Sequence, residues 1–259
     1  MNQLEQFLQM FWVKGVRLWP QEGKLRYRGP ESQLTPELLS QLQQQKAQLI
    51  QHLSEATVGP LSYGQNGLWY IQQSAPDNAA YHLSLAFHIY STLDCNLFQN
   101  AAQLLVNRHA ALRTTFPVQE GIPVQKVHGY QPVAFQTVDA QGWSEETLLA
   151  QLKTEHERPF DLADGPLFRV TVFARAADDV AVLINAHHIV IDGWSTYILL
   201  EELLVLYHAL QHGIVAQLPL LKQSYTDYVS WQHDLIERKG DQLWNYWKSQ
   251  LSGELPVLQ

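Results

Sequence analysis

The hydrophobic positions of the first 56 residues predict a helix, a hairpin and a second helix. Apolar side chains recur at the spacing of one helical face, and a glycine suited to end the helix comes after them; these positions are Leu4, Phe7, Leu8, Phe11, Trp12 and Gly15. Apolar and polar residues then alternate over 16–19 and 25–28 around a turn at 20–23, which indicates a hairpin. Thr35 and Pro36 are suited to begin a helix that extends to residue 53.

The alternation in the hairpin places four basic side chains on one face, namely Arg17, Lys24, Arg26 and Arg28. An exposed hairpin edge with positive charge suits an extended acidic peptide. The peptide backbone would add a strand, and its carboxylates would meet Arg26 and Arg28. The alternative is that residues 1–56 form only a subdomain packed on the larger C-terminal part, because a core of this size is marginal alone.

Beyond residue 56 the pattern changes to a longer alternation of strands and helices. It predicts a strand over 83–90, a helix over 97–108, a hairpin of 168–174 with 180–186, and a helix over 194–210. Such a mixture is typical of an α/β or α+β unit of enzyme size. We therefore expect two domains, 1–56 and 57–259.

Composition and charge narrow the functional classes. The chain has 46% hydrophobic and 16% charged residues, which is enough to bury a large core. The net charge is −8, with +1 in residues 1–56 and −9 in the remainder, and this argues against nucleic acid as a partner. One cysteine, Cys95, cannot form an internal disulfide, and no signal-like or membrane-spanning apolar run is present. We expect a cytoplasmic protein with no membrane partner.

The segment with the clearest chemistry is the adjacent pair His187 and His188 at the end of an apolar strand, before Asp192 and Gly193. Neighbouring side chains of an extended chain point to opposite faces, so the two histidines cannot share one role. One can face a cleft as a base or proton shuttle while the other packs inward. Taken alone, such a pair is more often structural or incidental than catalytic.

Other chemistries fit this segment less well. A metal site would need histidines on one face and a third ligand, so no metal is expected. The GxSxG pattern of a serine hydrolase is absent around Ser195, and no GxxxxGK phosphate loop accompanies Gly193.

Four ordered motifs resemble those of the condensation domains of nonribosomal peptide synthetases. Residues 187–193, HHIVIDG, resemble the HHxxxDG signature. Three further segments agree in order and approximate spacing: SYGQNGLW at 62–69, RHAALRTTF at 108–116 and YTDYVSWQ at 225–232. The N-terminal helix, basic hairpin and helix are similar to the tubulysin-synthetase type of docking domain that precedes condensation domains.

The resemblance implies a fold and a reaction. Residues 57–259 would form the N-terminal lobe, resembling chloramphenicol acetyltransferase, of a two-lobed domain whose second lobe is absent. The family joins an acyl thioester to the amine of an aminoacyl thioester and so forms an amide. His188 would be the catalytic histidine, as base or as positioning group, and His187 would belong to the surrounding fold. No cofactor would bind directly, because the substrates arrive on phosphopantetheine arms of carrier proteins.

The resemblance also assigns structural roles around His188. Asp192 would turn away from the channel and pair with Arg113 as a buried ion pair, and losing one partner would cost about 3–5 kcal/mol. Gly193 would allow a tight passage into the helix after it, and a side chain there would crowd the site.

The same resemblance implies which proteins this chain would bind. The docking domain would capture the acidic C-terminal tail of an upstream synthetase or polyketide synthase subunit, and could form homodimers. The condensation domain would meet donor and acceptor carrier proteins. Since the second lobe is missing, we expect the isolated chain to be inactive. Two alternatives are a binding module that acts only through its N-terminal unit and, less favoured, a free-standing acyltransferase of the chloramphenicol acetyltransferase type.

Overall fold

The computed structural model describes residues 3–253. Its helices are α1 (Gln3–Val13), α2 (Pro36–Gln44), α3 (Lys46–Ser54), α4 (Tyr63–Ser74), α5 (Cys95–Arg108), α6 (Glu145–Glu157), α7 (Gly193–His212) and α8 (Tyr225–Gln250). Its strands are β1 (Arg17–Gln21), β2 (Lys24–Arg28), β3 (Ala56–Gly59), β4 (His82–Ile89), β5 (Thr114–Thr115), β6 (Val118–Gln119), β7 (Ile122–Pro123), β8 (Gln125–His128), β9 (Ala134–Asp139), β10 (Phe168–Ala176) and β11 (Asp179–His187).

The N-terminal unit has the predicted helix, hairpin and helical segment, with two corrections. The hairpin turn is only Glu22 and Gly23, both with positive φ, so the strands reach further toward the turn than the alternation indicated. The single helix predicted after Thr35 is divided at Gln45 into α2 and α3. Glutamines surround the break, and a polar run carries no apolar signal that would locate it.

The central sheet has the strand order β4-β11-β10-β9, in which β9 and β10 are parallel and the other pairs are antiparallel. The predicted hairpin of β10 and β11 is confirmed, with Val170 opposite Ile184. Helices α5 and α7 cover one face, and α6 covers the other. The result is a mixed sheet flanked by helices, as the α+β or α/β prediction required, with β11 in the middle and its C-terminal end at the histidine pair.

The N-terminal unit shares a core with the sheet domain. Phe11 and Trp12 of α1 belong to the same buried cluster as Phe98 of α5. The backbone also joins the two parts, since the amide of Ala216 donates to the carbonyl oxygen of Val13 at 2.7 Å. Residues 3–55 are therefore packed directly on the sheet domain, which was the alternative left open by the sequence.

A second, three-stranded sheet, with the order β3-β8-β5, lies beside the histidine segment. Its residues Thr114, Gln125 and Val127 contribute to the cavity in front of His188. Within residues 3–253, no helix has both the length and the apolar character needed to span a bilayer.

Candidate active site

The end of β11 presents two adjacent histidines to different environments. The side chain of His187 is completely buried, whereas that of His188 is half-buried and lines a cavity of about 330 Å³. The cavity wall combines polar and apolar side chains, including Gln65, Leu68, Thr114, Gln125 and Tyr225. This is the division that strand geometry predicted for adjacent residues.

The hydrogen bonds of His187 assign its tautomer. Its Nδ1 accepts a hydrogen bond from the backbone amide of Ile189 at 3.1 Å, and its Nε2 lies 3.3 Å from Oε1 of Gln72. An Nδ1 that accepts leaves the proton on Nε2, which then donates to Gln72. Burial, together with the smaller effects of the neighbouring His82 and His188, lowers the pKa of His187 to about 4. His187 is therefore neutral at physiological pH.

The backbone of His188 is fixed while its imidazole is open to the cavity. Its amide donates to the carbonyl oxygen of Tyr81 at 2.8 Å, and the two rings meet edge to face. Among the described residues, none forms a hydrogen bond with the His188 imidazole. The ring nitrogens are thus available to a group that enters the cavity.

Two of the other motifs meet in the wall of this cavity. Ser62 and Gln65 form a capping box at the start of α4, and Nε2 of Gln65 donates to the carbonyl oxygen of Ile189 at 3.3 Å. The hydroxyl of Ser62 lies 3.0 Å from that of Tyr225 at the start of α8. The segments 62–69 and 225–232 therefore hold the wall of the cavity and the turn after His188.

The expected pairing of Asp192 with Arg113 is wrong. Asp192 is exposed and caps α7, where its Oδ1 accepts hydrogen bonds from the backbone amide and the hydroxyl of Ser195 at 2.7 and 2.6 Å. These hydrogen bonds lower the pKa of Asp192. The first turn of a helix has unpaired N–H groups, and a preceding aspartate satisfies them locally.

Arg113 has a separate environment. It is buried, and one of its terminal nitrogens donates to the carbonyl oxygen of His128. Burial lowers the pKa of Arg113 to about 10, and the charge of Glu5 on α1 opposes that shift. Among the described residues no salt bridge joins Arg113 to Asp192, so the cost expected for a buried pair does not apply to Asp192.

The expectation for Gly193 is also wrong in one respect. Apart from its chain neighbours and the backbone of its own helix, a Cβ atom added at Gly193 would meet no atom of the described residues within 4 Å. Gly193 is the first residue of α7, directly after the capping aspartate, and its surroundings are open. A side chain there would not crowd the site formed by the described residues.

Sequence reasoning missed the partner of the motif at 108–116. Glu202 of α7 is buried and receives two hydrogen bonds from Arg108, at 2.9 and 3.2 Å, and one contact from His109 at 2.6 Å. Burial acts to raise the pKa of Glu202, but the hydrogen bonds and charges of His109 and Arg108 outweigh it and lower the pKa. The available signal was a charged residue between Leu199 and Leu206 on the apolar face of α7.

The basic face of the hairpin is formed as the sequence indicated, but it is separate from the cavity. Arg17 lies opposite Arg28, and Lys24 and Arg26 lie opposite Gln21 and Trp19. Lys24, Arg26 and Arg28 are exposed, whereas Arg17 is half-buried with its guanidinium 5.8 Å from the Trp19 ring. None of the four lines the described wall of the His188 cavity. Within the described part of the chain, neither hairpin strand pairs with a third strand.

No group of three or more His, Cys, Asp or Glu side chains within the described residues is arranged to hold a metal ion.

Comparisons with known proteins agree with this arrangement. The profile of the Condensation domain family matches residues 55–259, and that of the TubC N-terminal docking domain matches residues 4–55. The chain is 37% identical over 206 residues to one of the linear gramicidin synthase proteins of Brevibacillus parabrevis, an alignment that covers 77% of this chain and 3% of that protein.

Solved structures show the same fold. The starter condensation domain of rhizomide synthetase matches with a TM-score of 0.69 at 21% identity, over 77% of this chain and 49% of that one. The first condensation domain of the calcium-dependent antibiotic synthetase matches with a TM-score of 0.66 at 22% identity, over 78% of this chain and 50% of that one. The chain thus spans about half of these structures and a small fraction of its curated relative. With the profile match over most of its length, the chain belongs to the condensation domain family and carries a TubC-type docking domain in its N-terminal part.

Proposed function

We propose that this chain is the docking domain and the histidine-bearing lobe of a nonribosomal peptide synthetase that forms an amide between two carrier-bound substrates. The observation that carries the proposal is the environment of His188, whose backbone is held by Tyr81 while its imidazole is open to a cavity of about 330 Å³. The neighbouring His187 is buried and neutral, so His188 is the member of the pair that is available for chemistry.

The proposed reaction needs a group beside the attacking amine that can accept its proton or a hydrogen bond from it. The nitrogen of the acceptor aminoacyl group attacks the carbonyl carbon of the donor thioester, a C–N bond forms, the C–S bond breaks, and the amine proton ends on the donor thiol. A neutral His188 imidazole can accept that proton, or hold the amine by a hydrogen bond while the tetrahedral intermediate forms. The phosphopantetheine arms are part of the substrates, supplied by the carrier proteins.

The activity is tested in the synthetase that contains this chain. His188→Ala should lower amide formation by about 10²–10⁴-fold, the usual contribution of a positioned acid–base group. His208→Ala is the matched control, because His208 is an exposed histidine on α7 outside the cavity wall. Product formation that survives His188→Ala unchanged would contradict the proposal.

We also infer that the isolated chain does not condense substrates. The condensation domains it resembles are about twice as long, and large aromatic side chains next to Asp192, including Trp194 at 78% and Tyr197 at 71% exposure, are uncovered. Amide formation by residues 1–259 alone, lost in His188→Ala, would contradict this inference.

For the docking domain we propose an acidic C-terminal peptide of an upstream synthase as the ligand. Support comes from the exposed Lys24, Arg26 and Arg28, which belong to strand β2 of a hairpin that pairs with no third strand among the described residues. An added peptide strand would place its carboxylates near these cations.

The docking proposal is tested by titrating an acidic C-terminal peptide into the chain at low salt. Arg26→Glu should abolish binding, and added salt should weaken it, because exposed charges are screened. Lys239→Glu makes the same change of charge at an exposed lysine on α8 and should leave the affinity unchanged. Equal binding by wild type and Arg26→Glu would contradict a role for the hairpin. Peptide binding in a synthetase whose activity does not need His188 would instead support the binding-module alternative.

A further inference from the structure

A buried glutamine, Gln72, lies behind the histidine pair and outside all four motifs. It is in the last turn of α4 and is only 5% exposed. Its Oε1 lies 3.3 Å from Nε2 of His187, and its Nε2 donates to the carbonyl oxygen of Pro76 at 2.7 Å. The amide therefore uses both its acceptor and its donor, which a hydrocarbon or a carboxylate of the same length could not reproduce.

The first of these contacts acts on the turn that carries His188. The amide of Ile189 donates to Nδ1 of His187, and the amide of Val190 donates to the carbonyl oxygen of His187 at 3.1 Å. The His187 side chain can accept from Ile189 only while Nδ1 is unprotonated, and the hydrogen bond to Gln72 favours the tautomer with its proton on Nε2. Gln72 thereby supports the tight turn that directs His188 into the cavity.

The second contact acts on the segment between α4 and Tyr81. Pro76 lies near the start of the connection from α4 to Tyr81. The carbonyl oxygen of Tyr81 accepts a hydrogen bond from the backbone amide of His188 at 2.8 Å, and the two rings lie edge to face. The Gln72 side chain thus contacts two elements next to His188, namely His187 at the end of β11 and Pro76 in the connection that leads to Tyr81.

We propose that Gln72 is a positioning residue for His188, acting through the His187 tautomer on one side and through the Pro76–Tyr81 connection on the other. The importance of this position rests on the proposed role of His188. The contacts of Gln72 can be tested by spectroscopy on the chain, without any catalysis. A negative result for Gln72 can therefore be told apart from a negative result for the proposed function.

The first measurement uses the wild-type chain labelled with ¹⁵N. Long-range ¹H–¹⁵N spectra of the imidazoles should show His187 with its proton on Nε2 and an unprotonated Nδ1, and neutral at about pH 6. A proton on Nδ1 of His187 would overturn the proposal without any variant being needed.

The second measurement compares Gln72→Glu with Gln73→Glu. The carboxylate at position 72 would accept from His187 but could not donate to Pro76, and its charge should raise the titration midpoint of His187 by about one pH unit or more. The imidazole resonances of His188 and the ring resonances of Tyr81 should shift with it, and the rate of His188 modification by diethyl pyrocarbonate should change. Gln73 is the exposed neighbour on α4, and Gln73→Glu should reproduce none of these effects.

A merely structural role gives a different result. If Gln72→Glu or the uncharged Gln72→Leu lowers thermal stability but leaves the His188 resonances and modification rate unchanged, the positioning role is excluded. If Gln72→Glu fails to fold, Gln72→Leu and Gln72→Asn are measured by the same His188 and Tyr81 signals. Unchanged signals in these folded variants would also exclude the positioning role.

Discussion

The N-terminal unit and the sheet domain use arginine in opposite ways. Arg26 and Arg28 on the hairpin are exposed, so their attraction for an acidic ligand is screened by water and salt. Arg108 and Arg113 in the sheet domain are buried and donate to Glu202 and to a backbone carbonyl. The same residue type is accessible to a ligand where it is exposed and fixes local geometry where it is buried.

The two regions nevertheless share one core, in which Phe11 of α1 and Phe98 of α5 belong to a single buried cluster. Their surface chemistry differs, but their packing is continuous. A difference in surface chemistry therefore does not imply separate folding units, and a substitution in the shared core should destabilise both regions together.

The largest expected effect is that of truncating a side chain in the shared core. Phe11 is fully buried, and Phe11→Ala should lower the free energy of unfolding by about 4 kcal/mol through lost burial and a cavity. Because the core is continuous, urea unfolding monitored by circular dichroism and by tryptophan fluorescence should show coincident transitions, both shifted.

Met10→Ala is the control for the core prediction, because Met10 is 44% exposed on the same helix. It should change the free energy of unfolding by no more than about 0.5 kcal/mol. Two separate transitions in Phe11→Ala, with only one of them shifted, would show that the N-terminal unit folds independently.

The next effect is that of Glu202→Gln, which removes the buried charge between Arg108 and His109. Breaking a buried pair leaves an uncompensated cation, so we expect a loss of about 3 kcal/mol at pH 7. Glu201→Gln changes the exposed neighbour and should be close to neutral. Equal stability of the two variants would show that the cluster contributes nothing.

The same pair of variants gives a pH test. The pKa of Glu202 is lowered in the folded state, so its contribution is present above the unfolded pKa and is lost as the pH falls through the folded value. The difference in stability between wild type and Glu202→Gln should therefore shrink in acid. A difference that stays constant from neutral pH into the acid range would contradict the lowered pKa.

A smaller effect is expected at Asp192. Asp192→Ala should cost about 1 kcal/mol in thermal unfolding, the typical value for a helix N-cap, because only the hydrogen bonds to Ser195 are lost. Asp192→Asn, which can still accept these hydrogen bonds, should cost less. A loss of stability as large as that of Glu202→Gln would instead support the buried ion pair of Asp192 that the resemblance implied.

The smallest effect on stability is expected on the hairpin. Arg26→Glu and Lys239→Glu should each change the free energy of unfolding by less than about 0.5 kcal/mol, since both side chains are exposed. Only Arg26→Glu should lose binding of the acidic peptide. A large loss of stability in Arg26→Glu would mean that the basic face is structural.

The sequence predicted the elements and the opposite directions of the histidine pair because both depend on local geometry. Periodicity located α1, α5, α7 and the hairpin of β10 and β11, and alternation along a strand separated His187 from His188. The break at Gln45 was not predictable, because polar residues on both sides give no apolar pattern.

The sequence could not predict which residues far apart along the chain contact each other. A charged residue has many acceptable partners, and only the folded chain decides which are near. Asp192 was expected to reach Arg113, yet its neighbour Ser195 satisfies it, while Arg113 is buried beside His128. Glu202 and Gln72 lie outside the four motifs, and only the residues that pack against them indicate what they do.

The sequence by itself determined the order of the motifs, the strand that leads into the pair His187 and His188, and the basic face of the hairpin, because these depend on spacing along the chain. Only the tertiary structure decided the partners of Asp192, Arg113 and Glu202, the place of Gln72 behind His188, and the fusion of both regions into one core. Those features depend on contacts between residues far apart in sequence, where burial and competing hydrogen bonds select among partners that the sequence leaves equally open.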